Sequence, residues 1–363
     1  MYICTMTKSM KTFQFRIKDS KCFKQLEKHA SAVNLVWNYC NDTSQQSAKK
    51  RSAGSNNRWI SEFDLNYLTA GTSKALGLSS TTIQSIAGEF VNKRNARKRP
   101  RLKWRSYKKN LGWIPVKAGG ISFKDDSFKY CGKGYRFWKS REIEGKVKTA
   151  SITQDAQRRW YINVTCEVPE CDTTKSTSAI GVDLGLKDLA VCSDGHIIQN
   201  PRTLRRYADK LAVAQRAKKK KQVIKIHAKI KNVRKDFLHK ASTALVKKHK
   251  QIFVGNVSSS KLVKTKMAKS VLDAGWNMFK TMLKYKSIRI GVDYQETDER
   301  YSTVTCSDCF ARSGPSGLSA LGIRDWVCSK CGSQHLRDVN AAKNILNFAL
   351  GHQSQLVESP AFR

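Results

Sequence analysis

The chain has 363 residues, with 68 Lys plus Arg against 28 Asp plus Glu and a formal net charge of +40. That length holds two or three domains with sizeable cores. The charge calls for a polyanion, and nucleic acid is the expected partner; with no long apolar span and no lipidation signal, a membrane partner is not expected.

Met1 to Met6 lacks a cleavage pattern, so no signal peptide is expected. Cys4, Cys22, Cys40, Cys131, Cys166, Cys171 and Cys192 are scattered. An odd scatter suits reduced thiols in a cytosol better than a disulfide framework.

In chain order, Lys11 to Lys18 alternates apolar and polar residues and predicts a strand. Leu26, Ala30, Val33 and Trp37 recur at helical spacing. Residues 41–60 are polar and predict a loop or frayed helix. A further helix covers Ser79 to Lys98, with Ile83, Ile86, Ala87 and Phe90 on one face. Positions 91–110 hold ten Lys or Arg and no acid, with Trp104 and Tyr107 between them. Cations interleaved with aromatics suit phosphates and stacked bases, which makes Lys93, Arg94, Arg97, Arg99, Arg101, Trp104 and Arg105 candidate nucleic-acid contacts. Residues 111–168 read as short strands, including Tyr135 to Trp138, Val147 to Ile152 and Trp160 to Val168. With the first strand they could close a small barrel. Glu167 to Ser178 reads as a linker.

Ile180 to Val191 predicts a buried strand delivering Asp183, a turn at Gly185 and a second strand. A carboxylate in an apolar run is costly unless it is paired or holds a metal. Residues 201–250 carry 18 Lys or Arg against Asp209 and Asp236, and predict one or two long basic helices. Their run Lys218, Lys219, Lys220 and Lys221 is a second candidate phosphate contact. Gln251 to Val257 predicts a buried strand, Met267 to Tyr285 a helix, and Ser287 to Tyr294 another strand. Asp338 opens an amphipathic helix with Val339, Ala342, Ile345 and Leu346 on one face. The alternation from residue 179 onward is that of an α/β domain.

Cys306-x-x-Cys309 and Cys328-x-x-Cys331 are separated by 18 residues. Four thiolates at this spacing close a tetrahedral sphere, so a structural zinc in a zinc ribbon is expected. Asp183 and Asp338 flank that set. Carboxylates from separate strands and helices are what two-metal cleavage of nucleic acid requires.

The order Gly181-Val182-Asp183-Leu184-Gly185, the two cysteine pairs, and Arg337-Asp338-Val339-Asn340-Ala341-Ala342-Lys343-Asn344-Ile345 resembles the TnpB proteins of bacterial insertion elements and the related compact type V CRISPR effectors. The specific motifs cover residues 180–350. The resemblance implies an α/β, RuvC-like nuclease domain of the RNase H fold with a zinc ribbon, plus an N-terminal split β-barrel, the wedge, and a helical recognition lobe. Under it, 1–20 opens the wedge, 21–100 is the recognition lobe and 101–170 completes the wedge. Residues 171–363 are the nuclease domain, with basic helices at 201–250 and the ribbon at about 301–335. It implies an RNA-guided DNA endonuclease with catalytic Mg²⁺ and structural Zn²⁺. The implied partners are a guide RNA and target double-stranded DNA. The expected protein is a cytoplasmic, bacterial monomer that joins the nucleoid when bound to DNA.

One position departs from the family. The middle strand usually ends in Glu-Asp, and here it ends in Gly255-Asn256. Either the nuclease is inactive and the chain is an RNA-guided repressor, or another acid substitutes. Glu299, which stands where the family often has Pro, is the favoured replacement, and Glu296 is second. A strand-transfer transposase is the third reading. The expected catalytic set is Asp183, Glu299, Glu296 and Asp338, with Asp183, Glu299 and Asp338 holding Mg²⁺.

Overall fold

The architecture comes from a computed structural model that describes residues 8–18, 22–50, 59–169, 177–257, 262, 264–265, 267–317 and 319–351. Strict alternation in Lys8–Arg16 (β1) sends Phe13 and Phe15 inward and Gln14 and Arg16 outward. β1 pairs antiparallel with Trp160–Pro169 (β7), and the two share nine register pairs from Lys8–Pro169 to Arg16–Tyr161.

Phe23–Lys50 is α1, Glu62–Leu68 α2, Ser73–Leu76 α3 and Ser80–Ala96 α4. Ser79 caps α4 by accepting from the Thr82 amide, and Ser61 with Asp64 forms a capping box on α2. The strands that follow are Trp113–Lys117 (β2), Ser122–Lys124 (β3), Ser127–Tyr130 (β4), Lys133–Arg136 (β5) and Lys146–Gln154 (β6). They build a four-stranded sheet in the order β1-β7-β6-β2 and a three-stranded sheet β3-β4-β5. One apolar core, including Trp37, Phe90, Phe128, Tyr135 and Trp160, unites sheets and helices.

The polar stretch after residue 40, expected as a loop or frayed helix, is helical up to Lys50. Asn41 exchanges hydrogen bonds with both backbone groups of Leu102, and Ser44 donates to the Pro100 carbonyl. Polar residues are buried here because they satisfy a backbone segment about 60 positions away, a pairing that local pattern does not carry. Residues 51–58 of the expected loop, and 170–176 of the expected linker, lie outside the described residues.

The chain divides into two compact units, Met1–Pro169 and Glu170–Arg363. The second contains Ala179–Leu184 (β8), Asp188–Cys192 (β9), Ile197–Gln199 (β10), Gln251–Gly255 (β11) and Asp293–Thr297 (β12), in the order β10-β9-β8-β11-β12. β10, β9 and β8 are antiparallel, whereas β8, β11 and β12 run parallel. β8 and β11 are central and read as nearly unbroken apolar runs, as strands covered on both faces do.

Between β10 and β11 lie Thr203–Arg206 (α5), Ala208–Arg216 (α6) and Lys220–Lys248 (α7). Ala214, Ile226 and Ile230 form a small core between α6 and α7. Ala268–Ala274 (α8) and Trp276–Ile290 (α9) follow, where one helix was expected. Gly275 divides them in a left-handed conformation at φ +72°, which a side chain would resist. The strand expected over Ser287 to Tyr294 is also displaced. Ser287 to Ile290 end α9, Gly291 terminates it at φ +68°, and the strand starts at Asp293. Asp325–Val327 (β13) and Gln334–Leu336 (β14) form a two-stranded ribbon, and Arg337–Ala349 is α10. No described helix is long and apolar enough to cross a membrane.

Candidate active site and zinc centre

α10 lies directly on the sheet. A side chain at Gly181 on β8 would run into the Ala342 carbonyl and Leu346 of α10, so the glycine two residues before Asp183 permits the close approach. Period-two alternation then puts Asp183 on the same face of β8 as Gly181. Asp338, the second residue of α10, brings its carboxylate to that face at a helix N-terminus, where negative charge is favoured. Arg324, between the cysteine pairs, contacts both Asp338 oxygens through Nη1 at 2.8 and 2.9 Å.

Glu299 follows β12 and folds back over the end of β11. A Cβ built on Gly255 would stand 2.5 Å from Glu299 Oε2 and 3.2 Å from Ile345 Cδ1 of α10. The Glu299 carboxylate therefore occupies space that a side chain at the end of the middle strand would claim. The Val257 backbone also hydrogen-bonds this carboxylate. Burial pushes Glu299 above the ordinary carboxylate range, opposed by Lys280 and the Val257 backbone. Asp183 is pushed up to about 7, first by burial and then by the negative charges of Glu299 and Asp338. Asp183 thus feels two further carboxylates from its side of the sheet. Hard oxygen donors whose charges are mutually unfavourable are a donor set that suits Mg²⁺.

Glu296 is placed differently. It pairs in register with Val254, one residue before Gly255, so it faces the opposite side of the sheet. There it is exposed and bound by Lys280 Nζ of α9 at 2.7 Å. Contrary to the expectation for it, Glu296 therefore lies away from the face that carries Asp183 and Gly255.

Cys306, Cys309, Cys328 and Cys331 bring their sulfurs within 4.8 Å of one another. The Cys306–Cys331 and Cys309–Cys328 sulfur separations are 3.7 and 3.6 Å. Zinc–thiolate bonds of about 2.3 Å in a tetrahedron require about 3.8 Å between sulfurs, so the set fits zinc. His335 Nε2 lies 3.0 Å from Cys306 Sγ and its ring packs on Trp326 at 4.7 Å. Second contacts of this kind orient a ligand.

The basic candidates separate into two groups. Arg97, Arg99, Arg101 and Trp104, with Leu102 and Lys103, line an open concavity of about 620 Å³. Lys93 is exposed but pairs with Glu89. Arg94 is only 2% exposed and donates to Ser44 and Asn95, so it is a core residue and not a phosphate contact. Arg105 is half-buried, bonded to Asn34 and laid over Trp37 and Trp113, which also assigns it to packing. Lys218, Lys219, Lys220 and Lys221 are all exposed at the α6–α7 turn.

The amphipathic reading of α10 passed over its buried amides. Asn340 and Asn344 are 1% and 0% exposed. Both donate to the carbonyls of Ser302 and Thr305. Their i,i+4 spacing within the quoted motif was the available signal.

Residues 162–266 match the family described as "Probable transposase" (OrfB_IS605), and residues 276–345 match "Cas12f1-like, TNB domain". A Streptomyces pristinaespiralis protein named "Putative RNA-guided DNA endonuclease" is 29% identical over 82% of this chain and 76% of its own. An Escherichia coli K12 protein, "Putative RNA-guided DNA endonuclease InsQ", is 26% identical over 95% of this chain and 93% of its own. The Cas12f1 chain of a cryo-EM complex with sgRNA and target DNA superposes with a TM-score of 0.57 at 13% identity, over 94% of this chain and 99% of that one. The likeness to TnpB proteins and to compact type V effectors therefore holds in sequence, and the likeness to Cas12f1 holds in a mixed α/β fold.

Proposed function

We propose that this TnpB-like chain is an RNA-guided DNA endonuclease in which Asp183, Glu299 and Asp338 hold Mg²⁺. The observation that carries the reading is the Glu299 carboxylate lying against Gly255, on the face that carries Asp183 and α10. A nuclease that had lost its second acid outright would have no charged group in that space, so the repressor reading is disfavoured. Mg²⁺, when bound, supplies Lewis-acid chemistry at a phosphodiester. The chain's own part is to converge the anionic oxygens from β8, the turn after β12 and the start of α10. Lys280 fixes Glu296 on the other face.

Cys306, Cys309, Cys328 and Cys331 would hold a structural Zn²⁺. The five-stranded sheet with α10 is read as the RuvC-like domain over 171–363, with the ribbon at about 301–335. In the first unit, the two sheets are read as the split wedge over 1–20 and 101–170, and the helices as the recognition lobe over 21–100. Guide RNA and target DNA would meet Arg97, Arg99, Arg101, Trp104 and Lys218 to Lys221. Phosphate contacts come from the cations, and Trp104, 47% exposed, offers a stacking face.

The test is cleavage of a plasmid bearing the guide-matched target by the protein purified with its own RNA and supplied with Mg²⁺. Linear product is expected. Binding to the target with no cleavage in Mg²⁺ or Mn²⁺ would replace this reading with that of a repressor.

A further inference from the structure

The turn that carries Glu299 lies outside the named strands, with an isolated bridge from Thr305 to Arg312. Ser302 N–H donates to Glu299 O at 3.1 Å, and Thr305 N–H donates to Tyr301 O at 3.0 Å. Ser302, Thr305 and Ser307 are nonetheless buried. Buried carbonyls need donors, and a missing donor costs about 1–3 kcal/mol each.

α10 supplies them. Asn344 Nδ2 donates to Ser302 O at 2.8 Å and Thr305 O at 2.6 Å. Asn340 Nδ2 donates to the same two carbonyls at 3.3 and 2.7 Å, and its Oδ1 accepts from Ser307 N–H at 2.9 Å. Asn347 Nδ2 reaches Ser307 O at 3.2 Å. Three amides, one turn apart along a single helix edge, grip the backbone on both sides of Cys306. The same helix carries Asp338 two residues before Asn340. Its other face rests on Gly181 of β8 and, through Ile345, on Gly255 of β11.

We propose that Asn340 and Asn344 are positioning residues for the acidic site. They fix the 299–307 turn to the helix bearing Asp338, so that Glu299 and Asp338 hold a set separation and the first zinc knuckle is locked to both. The proposal rests on the reading that Glu299 completes the acidic set. An asparagine is specific to the task because its amide offers two N–H groups to two carbonyls. Aspartate has the same shape but presents oxygen to oxygen. Asn340→Asp keeps the acceptor for Ser307 N–H and loses only the donations, which separates the ladder from packing.

The test measures Mn²⁺ binding by electron paramagnetic resonance on the full chain with its guide RNA, together with zinc content and guide affinity. Glu299→Gln, Asn344→Asp and Asn340→Asp should each weaken Mn²⁺ at least tenfold, the range seen for groups that orient a metal ligand. Zinc should stay at one equivalent and guide affinity should not change. The Mg²⁺ concentration for half-maximal cleavage should rise by a similar factor, with rate recovered at high Mg²⁺. Unchanged Mn²⁺ affinity in Glu299→Gln would overturn both the acidic-set reading and the ladder. A loss in Glu299→Gln with none in Asn344→Asp or Asn340→Asp would overturn the ladder alone. Should the asparagine variants not fold, linkage supplies a second measurement on the unaltered protein. Mg²⁺ should slow hydrogen exchange at the Ser302, Thr305 and Ser307 amides. Exchange there that ignores Mg²⁺ would overturn the proposal.

Discussion

The second unit holds a cysteine cluster and a proposed acidic site, assembled in opposite ways. Each pair of cysteines is local, and the four sulfurs already stand at the spacing of a tetrahedral centre. The three carboxylates come from residues 183, 299 and 338, and only a sheet and a helix bring them to one side of the fold. Asp183 is raised first by burial and then by the negative charges of Glu299 and Asp338. Thiols can release their protons as a metal binds, whereas carboxylates accumulate charge as they gather. The cysteine set should therefore stabilise the fold through its metal, and the acidic set should strain the fold until a cation neutralises it.

The largest effects should come from removing a ligand from either set. Asp183→Ala and Asp338→Ala should each reduce plasmid cleavage to background while RNA and DNA affinity hold, because the proposed phosphate contacts lie on other residues. Cys306→Ser should cost zinc and then folding of the ribbon, since zinc binding in such sites is worth about 10–16 kcal/mol. Zinc analysis and thermal melts separate the two classes: the aspartate variants should melt normally, the cysteine variant early.

Gly255→Ala sharpens the comparison within the acidic set. The added methyl meets the flexible end of Glu299 and not backbone, so stability should change by less than about 1 kcal/mol while cleavage falls at least tenfold. Restoring an acid at Gly255 in a Glu299→Gln background meets the same clash, because glutamine keeps the length. Gly255→Glu with Glu299→Ala is the pairing that leaves room, and partial return of cleavage is expected from it.

The electrostatic difference has a sign that pH exposes. Asp183 has a folded-state value of about 7, above the ordinary value of 3.8. The native state then binds more protons than the unfolded state between those two values, so stability without a divalent ion falls as pH rises through that window. Asp183→Asn should raise the metal-free melting temperature at pH 8 and do so much less at pH 4. Mn²⁺ affinity of the parent should rise as pH passes 7, because the cation and the proton compete. A stability profile unchanged by the substitution would remove the strain from the account.

The smallest effects are expected from groups outside both sets. Alanine at Lys218, Lys219, Lys220 and Lys221 should reduce the salt slope of nucleic-acid binding by no more than about one unit per lysine. Glu296→Gln should leave cleavage within about twofold of the parent.

The cysteine set was legible because its information lies in two short spacings, and β8 was legible because a buried central strand is nearly all apolar. The order of the sheet's later elements was half legible. Ser-Ile-Arg-Ile at 287–290 alternates like a strand, yet it belongs to α9, and Gly291 decides the boundary. Arg94 counted toward a basic strip, but its guanidinium is spent on Ser44 and Asn95 in the core. Charge counts carry no burial. Glu299 could be suspected from the departure at Gly255, but the choice against Glu296 needed the parallel register of β11 and β12. Asn340 and Asn344 looked like ordinary polar helix positions. Their partners, Ser302 and Thr305, lie about 40 residues away, and no periodicity reports that pairing.

The central claim is that Glu299 stands in for the acid missing at Gly255. It is tested most directly by cleavage of the guide-matched plasmid by Glu299→Gln, purified with the same RNA and supplied with Mg²⁺. The amide keeps the side chain's size and removes the anionic oxygen that a hard cation selects. The account predicts target binding at parental affinity with cleavage lost. Cleavage at the parental rate would contradict it.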